Sequence, residues 1–130
     1  MLFFGHRFLE SPGFYHVNSI EAITNTPPAS ALYIEFDETN LDVIEHFRTN
    51  AITFALSVTN VRELMYASTL DATYIIVEKE LAKTAQNIAE SYLFDAKILV
   101  NIEDEEEIEE CALIAVDGVI FSNAIIKINS

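Results

Sequence analysis

Five apolar, β-rich runs recur along the chain at nearly constant spacing: ALYIEF from Ala31, ITFALSV from Ile52, TYIIVE from Thr73, KILVNI from Lys97 and GVIF from Gly118. Successive starts lie 21, 21, 24 and 21 residues apart. Each run is almost continuously hydrophobic, as strands covered on both faces are. Between the runs the apolar spacing becomes helical. Leu41, Ile44 and Phe47 share a face after Thr39 and Asn40; Val61, Leu64 and Met65 follow the N-cap candidate Asn60. Leu81, Ala85, Ile88 and Tyr92 make a third stripe, and Ile108, Cys111, Ala112 and Ala115 a fourth. Strand and helix alternating at this interval predict a parallel sheet built from βαβ units.

The expected fold is therefore α/β: a single three-layer domain over residues 1–130, with a five- or six-stranded, mostly parallel sheet in a flavodoxin-like layout. The alternative is half of a (β/α)8-type barrel made from the same units and completed by association. A length of 130 residues suits one domain, and three glycines with three prolines leave little room for long irregular loops.

Residues 1–30 differ and are expected to form an aromatic-rich extension packed on the domain. GFYHV, from Gly13 to Val17, reads as a sixth strand, and NSIEAI as a short helix capped by Asn18 or Ser19. Pro27 and Pro28 then make a rigid connection. Phe3, Phe4, Phe8, Phe14 and Tyr15 carry too much apolar surface to be left in water. They predict a homodimer interface. The alternative is that Phe3, Phe4 and Phe8 plug one end of the chain's own core.

A formal charge of −14 repels nucleic-acid phosphates and anionic lipid surfaces, which argues against both as partners. The single cysteine, Cys111, falls on an apolar helical stripe and is expected to be a core thiol. No apolar segment approaches the ~18 residues of a membrane span, and the first residues make a poor signal peptide. The expected address is the cytoplasm. The leading expectation for function is a non-catalytic domain working by association, with itself or with an unknown protein partner.

The densest charge lies between Glu103 and Glu110, where seven of eight residues are acidic. Carboxylates are favourable in the first turn of a helix, where unpaired N–H groups carry positive charge. Asp104 is the expected cap, with Glu107 reaching back to it. Asn101–Gly118 also resembles a stretch of the pyruvate- and phosphoenolpyruvate-type barrel enzymes, on Ile102, Glu103, Val116, Asp117 and Gly118. That resemblance implies a metal-binding role for Glu103, but Ser122 and Asn123 stand where the second metal ligand would be. The five regular units are similar in layout to a response-regulator receiver domain. Glu78, Asn101 and Ser122 replace that family's phosphoacceptor Asp, hydroxyl and Lys, which argues against phosphoryl transfer.

Gly-rich phosphate-binding turns are missing from FDETN, VTNV, EKE, IEDE and FSNA. His6, His16 and His46 are isolated in sequence, and no serine sits in a nucleophile-elbow pattern. What remains is one edge of the sheet. In a parallel sheet the carboxyl ends of the strands point the same way, gathering Asp37, Glu38, Ser57, Asn60, Glu78, Glu103, Asp104 and Asn123. The alternative function is thus a metal-assisted enzyme or small-molecule binder using Asp37, Glu38, Asn60, Glu78, Glu103 and Asn123. A divalent cation such as Mg²⁺ would call on Asp37, Glu78 and Glu103. Each of these acids also has a reason to precede a helix, so no cofactor is expected.

Overall fold

A computed structural model describes residues 1–128. Eight strands form one parallel sheet: β1 (Leu2–Phe4), β2 (Phe14–His16), β3 (Ala31–Glu35), β4 (Phe54–Ser57), β5 (Tyr74–Val77), β6 (Lys97–Ile102), β7 (Gly118–Phe121) and β8 (Ile125–Lys127). Five helices connect them: α1 (Ile20–Ile23), α2 (Leu41–Thr49), α3 (Val61–Thr69), α4 (Lys79–Ser91) and α5 (Glu107–Leu113). The α/β class and the parallel sheet are as the periodicity predicts. KILVNI and GVIF become strands over their full lengths. Two further short strands, β1 and β8, raise the number to eight.

The strand order is β1-β7-β6-β5-β4-β3-β2-β8. From β2 to β7 each strand lies beside the next one in sequence, with no reversal. A doubly wound, three-layer sheet needs such a reversal to place helices on both faces. Here crossovers of one hand put every helix on the same face. Of the two layouts, the barrel-type one fits. Strand β7 stands second from one end of the order and β8 stands at the other end, yet only Ser122–Ala124 separate them in sequence. Four residue steps span at most about 14 Å. The sheet therefore curls until its ends meet within one chain.

Residue parity divides the core in two. Outward residues such as Leu32, Ile34, Phe54, Leu56, Ile75, Val77, Ile98 and Val100 pack against Ile44, Phe47, Leu64, Ala82, Ala85 and Cys111 of the helices. Inward residues build a smaller second cluster. Phe4, Phe14, Ala55, Ile76, Leu99 and Ile120 supply one side chain from each of six strands, joined by Tyr33 of β3 and Ile125 of β8. Gly118 makes this closeness possible. A Cβ there would lie 2.7 Å from Leu2 Cβ, 2.7 Å from Leu99 Cδ2 and 2.8 Å from Leu2 O.

Four of the helices end alike. Ala51, Asp71, Leu93 and Ala115 follow the caps of α2, α3, α4 and α5 with positive φ. The next residue's N–H reaches back to the last turn: Ile52 to Phe47 O at 2.9 Å, Ala72 to Ala67 O at 3.2 Å, Phe94 to Ala89 O at 2.9 Å and Val116 to Cys111 O at 3.2 Å. This is the Schellman ending, usually built on glycine. Its repetition turns each helix sharply into the next strand.

Starts are capped more variously. Ser19 accepts from Ala22 N–H at α1, and Asn60 accepts from Glu63 N–H at α3. The acidic run begins as a turn, and α5 starts only at Glu107. Asp104 makes no side-chain cap. Instead Glu107 Oε2 accepts from the N–H groups of Glu103 at 2.8 Å and Asp104 at 3.0 Å. The reciprocal half of the expected pair thus forms, while Glu109 and Glu110 are exposed as a solvated face.

Candidate functional site

Inward parity continues past the apolar cluster to the carboxyl ends of the strands, where it becomes polar. On β3 the inward series runs Ala31, Tyr33, Glu35; on β4 it runs Ala55, Ser57; along β5 and one residue past it, Tyr74, Ile76, Glu78. His16, Asn101, Ser122 and Lys127 hold the same place on the other strands or just beyond them. Together these groups rim a cup of about 480 Å³, floored by Ile76, Ile120 and Ile125. An apolar floor with a few converging polar groups, at the carboxyl end of a curled parallel sheet, is the usual build of a small-molecule site.

Three hydrogen-bonded pairs organise the rim. His16 Nε2 lies 2.8 Å from Glu35 Oε1 across the β2–β3 pair, and the imidazole packs edge-on to Tyr33 with ring centroids 4.9 Å apart. The Tyr33 hydroxyl donates to Ser57 Oγ at 3.0 Å. Asn101 Nδ2 donates to Glu78 Oε2 at 3.1 Å. Burial raises the Tyr33 phenol above its ordinary pKa; the bond to Ser57 opposes this, while the charges of Glu35 and Glu78 add to it. The hydroxyl is therefore held firmly as a neutral donor, between two carboxylates.

Of the acidic-edge residues expected from sequence, Glu78 and Ser57 reach this cup. Asp37 is spent on structure: its Oδ1 accepts from Thr39 N–H at 2.9 Å and Thr39 Oγ1 at 2.8 Å, capping the 3₁₀ turn Glu38–Asn40 that contains Glu38. Those bonds hold the Asp37 carboxyl below its ordinary pKa. Asn60 caps α3. Glu103 and Asn123 line a separate open depression with Gly5, Arg7, Asp104 and Phe121. No group of three or more His, Cys, Asp or Glu that could hold a metal ion occurs among the described residues, so Asp37, Glu78 and Glu103 do not converge. Glu35 and His16 are the functional candidates that the sequence left aside. Their signal was parity, since Glu35 continues the inward series from Ala31 and Tyr33.

The five aromatics of the expected interface are distributed differently. Phe4 and Phe14 are buried by the chain's own strands, within the inner cluster. Phe3 and Tyr15 are half-buried against the outer core. Phe8 remains 64% exposed, with the Arg7 guanidinium 4.8 Å from its ring centre. Close by in sequence, His6 is enclosed by Phe3, Phe8 and Phe121 and sits 2.7 Å from Glu105 Oε1. Cys111 is buried, and desolvation raises its thiol pKa. No helix among the described residues is long and apolar enough to cross a membrane.

Comparison with protein-family models finds no match. Comparison with curated proteins finds none either.

Proposed function

We propose that this protein binds a small polar molecule in the cup rimmed by His16, Glu35, Ser57, Glu78 and Asn101. The observation that carries the reading is the change in inward parity. Side chains that would fill the interior if only stability mattered give way, at the carboxyl ends of the strands, to paired polar groups around an accessible cavity. Such groups cost stability when desolvated, and arranging them in hydrogen-bonded pairs offsets that cost while keeping them oriented. The ligand lies with its apolar part on Ile76, Ile120 and Ile125 and its polar part against the rim. The proposal includes a cytoplasmic location, a setting in which the buried Cys111 thiol stays reduced.

Amide-resolved NMR titration with a library of small polar fragments tests this. The expected result is saturable shifts at Ser57, Thr59 and Asn101. Shifts confined to other surfaces, or none at all, would overturn it.

A second reading, association of the chain with itself or another protein, is favoured by one observation. Phe8 and Leu9 lie exposed together on the segment after β1. Sedimentation of the intact protein and of Phe8→Ser tests this, with a dimer expected in the first and a folded monomer in the second. A monomeric intact protein at high micromolar concentration excludes self-association.

A further inference from the structure

We propose that the cup selects a small organic cation, a protonated amine carrying an apolar body, and that Glu35 and Glu78 select it. This rests on the cup being a ligand site. The two carboxylates enter it from β3 and from the end of β5, with Ser57 of β4 between them. Each has one side-chain partner, His16 for Glu35 Oε1 and Asn101 for Glu78 Oε2. Among the described residues, Glu35 Oε2 and Glu78 Oε1 have no protein partner, so both can accept from a ligand.

The opposing charge is smaller. Among the described residues, Lys127 is the one lysine on the rim and no arginine lines the cup. His16 faces Glu35 rather than standing free. Two carboxylates against one ammonium leave a site complementary to one positive charge. An ammonium has three donors, which suit the two open carboxylate oxygens and the Ser57 hydroxyl. The isoleucine floor then covers the apolar body of the amine. An anion would meet both carboxylates at the rim, on a chain whose formal charge is −14. The repulsion excludes it.

Cyclohexylamine, cyclohexanol and cyclohexanecarboxylate share one apolar body and differ in charge. Their binding is measured by amide-resolved NMR titration at neutral pH and physiological salt. The amine should bind at least about tenfold tighter than the alcohol, and the carboxylate weakest, with shifts centred on Ser57, Thr59 and Asn101. Glu35→Gln and Glu78→Gln keep the side-chain shape and remove the charge. Each should weaken the amine by about 10- to 100-fold, the range for losing a charged hydrogen bond, and leave the alcohol within about twofold. Glu90→Gln with Glu109→Gln, both away from the cup, removes two charges where each cup variant removes one, and should still leave the amine affinity unchanged. Amine binding no tighter than alcohol binding, or equally weakened by the remote pair, overturns the cation assignment while the binding site stands. No shift at the cup with any of the three overturns both.

Discussion

The rings of Phe4 and Phe14 meet with centroids 5.1 Å apart, although the strands that carry them lie near opposite ends of the sheet order. Tyr74 completes the contact, with its ring centre 5.4 Å from each. Three aromatic side chains from β1, β2 and β5 thus fill the interior and hold the curl from inside. Phe14 is 1% exposed, so truncation leaves a cavity that the surrounding strands cannot refill. Phe14→Ala should cost about 3–5 kcal/mol, measured by urea denaturation. Phe8→Ala, at an exposed position, should cost less than about 0.5 kcal/mol. Similar losses at both positions would contradict this division between core and surface.

At Gly118 the backbone of β7 lies close against both β1 and Leu99. The added methyl of Gly118→Ala must push against Leu99 on one side and the Leu2 backbone on the other. Leu99 can shift only into the packed inner cluster, and the Leu2 carbonyl can move only with its strand. The expected loss is about 1–3 kcal/mol, typical of overpacking. Hydrogen exchange should locate the damage in β1, with faster exchange at Phe3 and Phe4. An unchanged melting temperature would mean that β1 docks more loosely than this geometry implies.

The five interior runs were legible because each carries enough apolar residues to show its period. Strands of three residues carry no period: β1 and β8 escape, and β2, equally short, is marked only by the apolar and aromatic run from Gly13 to Val17. Their pairing is decided by the curl of the whole sheet, which no local stretch contains. The layout turned on a similar point. The same βα repeat serves a doubly wound sheet and a barrel, and only strand order separates them. At the site, Asp37 and Glu38 are the first acids after the Ala31 run ends, but two residues past Glu35 the chain has already turned to cap the 3₁₀ turn that precedes α2. The last inward position, not the first loop acid, faces the cup. His16 read as isolated because its partner is on the neighbouring strand. Phe4 and Phe14 read first as a dimer interface, with Phe4 in the chain's own core as the alternative, because the interior they fill does not exist until the ends of the sheet meet.

Leu93 occupies a left-handed position with φ 55° while its side chain is 83% exposed. A branched residue there gains little from packing and bears the steric cost of that backbone region. Leu93→Gly removes the Cβ clash and keeps the Phe94 N–H bond to Ala89 O. It also makes the unfolded chain more flexible, which offsets part of the gain. The net effect should be a stabilisation of about 0.5–1 kcal/mol. Leu93→Ala is the control: it keeps the Cβ and should change stability by less than about 0.5 kcal/mol. Thermal melts of the two variants check this. Stabilisation by alanine equal to that by glycine would trace the effect to the exposed apolar surface instead of the backbone.

Glu107 joins the acidic turn to its helix and links two helices across their starts. Its Oε2 takes the N–H groups of Glu103 and Asp104, and its Oε1 lies 3.3 Å from Lys79 Nζ at the start of α4. The backbone bonds first, and the lysine second, hold the Glu107 carboxyl below its ordinary pKa. The same contact raises the Lys79 ammonium above its own. A lowered folded-state pKa means that the unfolded chain takes up the proton first. The contribution of Glu107 is therefore complete above the ordinary glutamate value of about 4.3 and fades as pH falls through its folded value. Glu107→Gln keeps an oxygen acceptor for the two N–H groups but cannot titrate. Its stability should fall less steeply with acidification than that of the unaltered protein, and the two curves should diverge most above pH 4.3. A side-chain carboxyl NMR titration of Glu107 gives the midpoint directly. A midpoint at or above the ordinary value, or parallel stability curves for the two proteins, would show that the turn is held by its backbone alone.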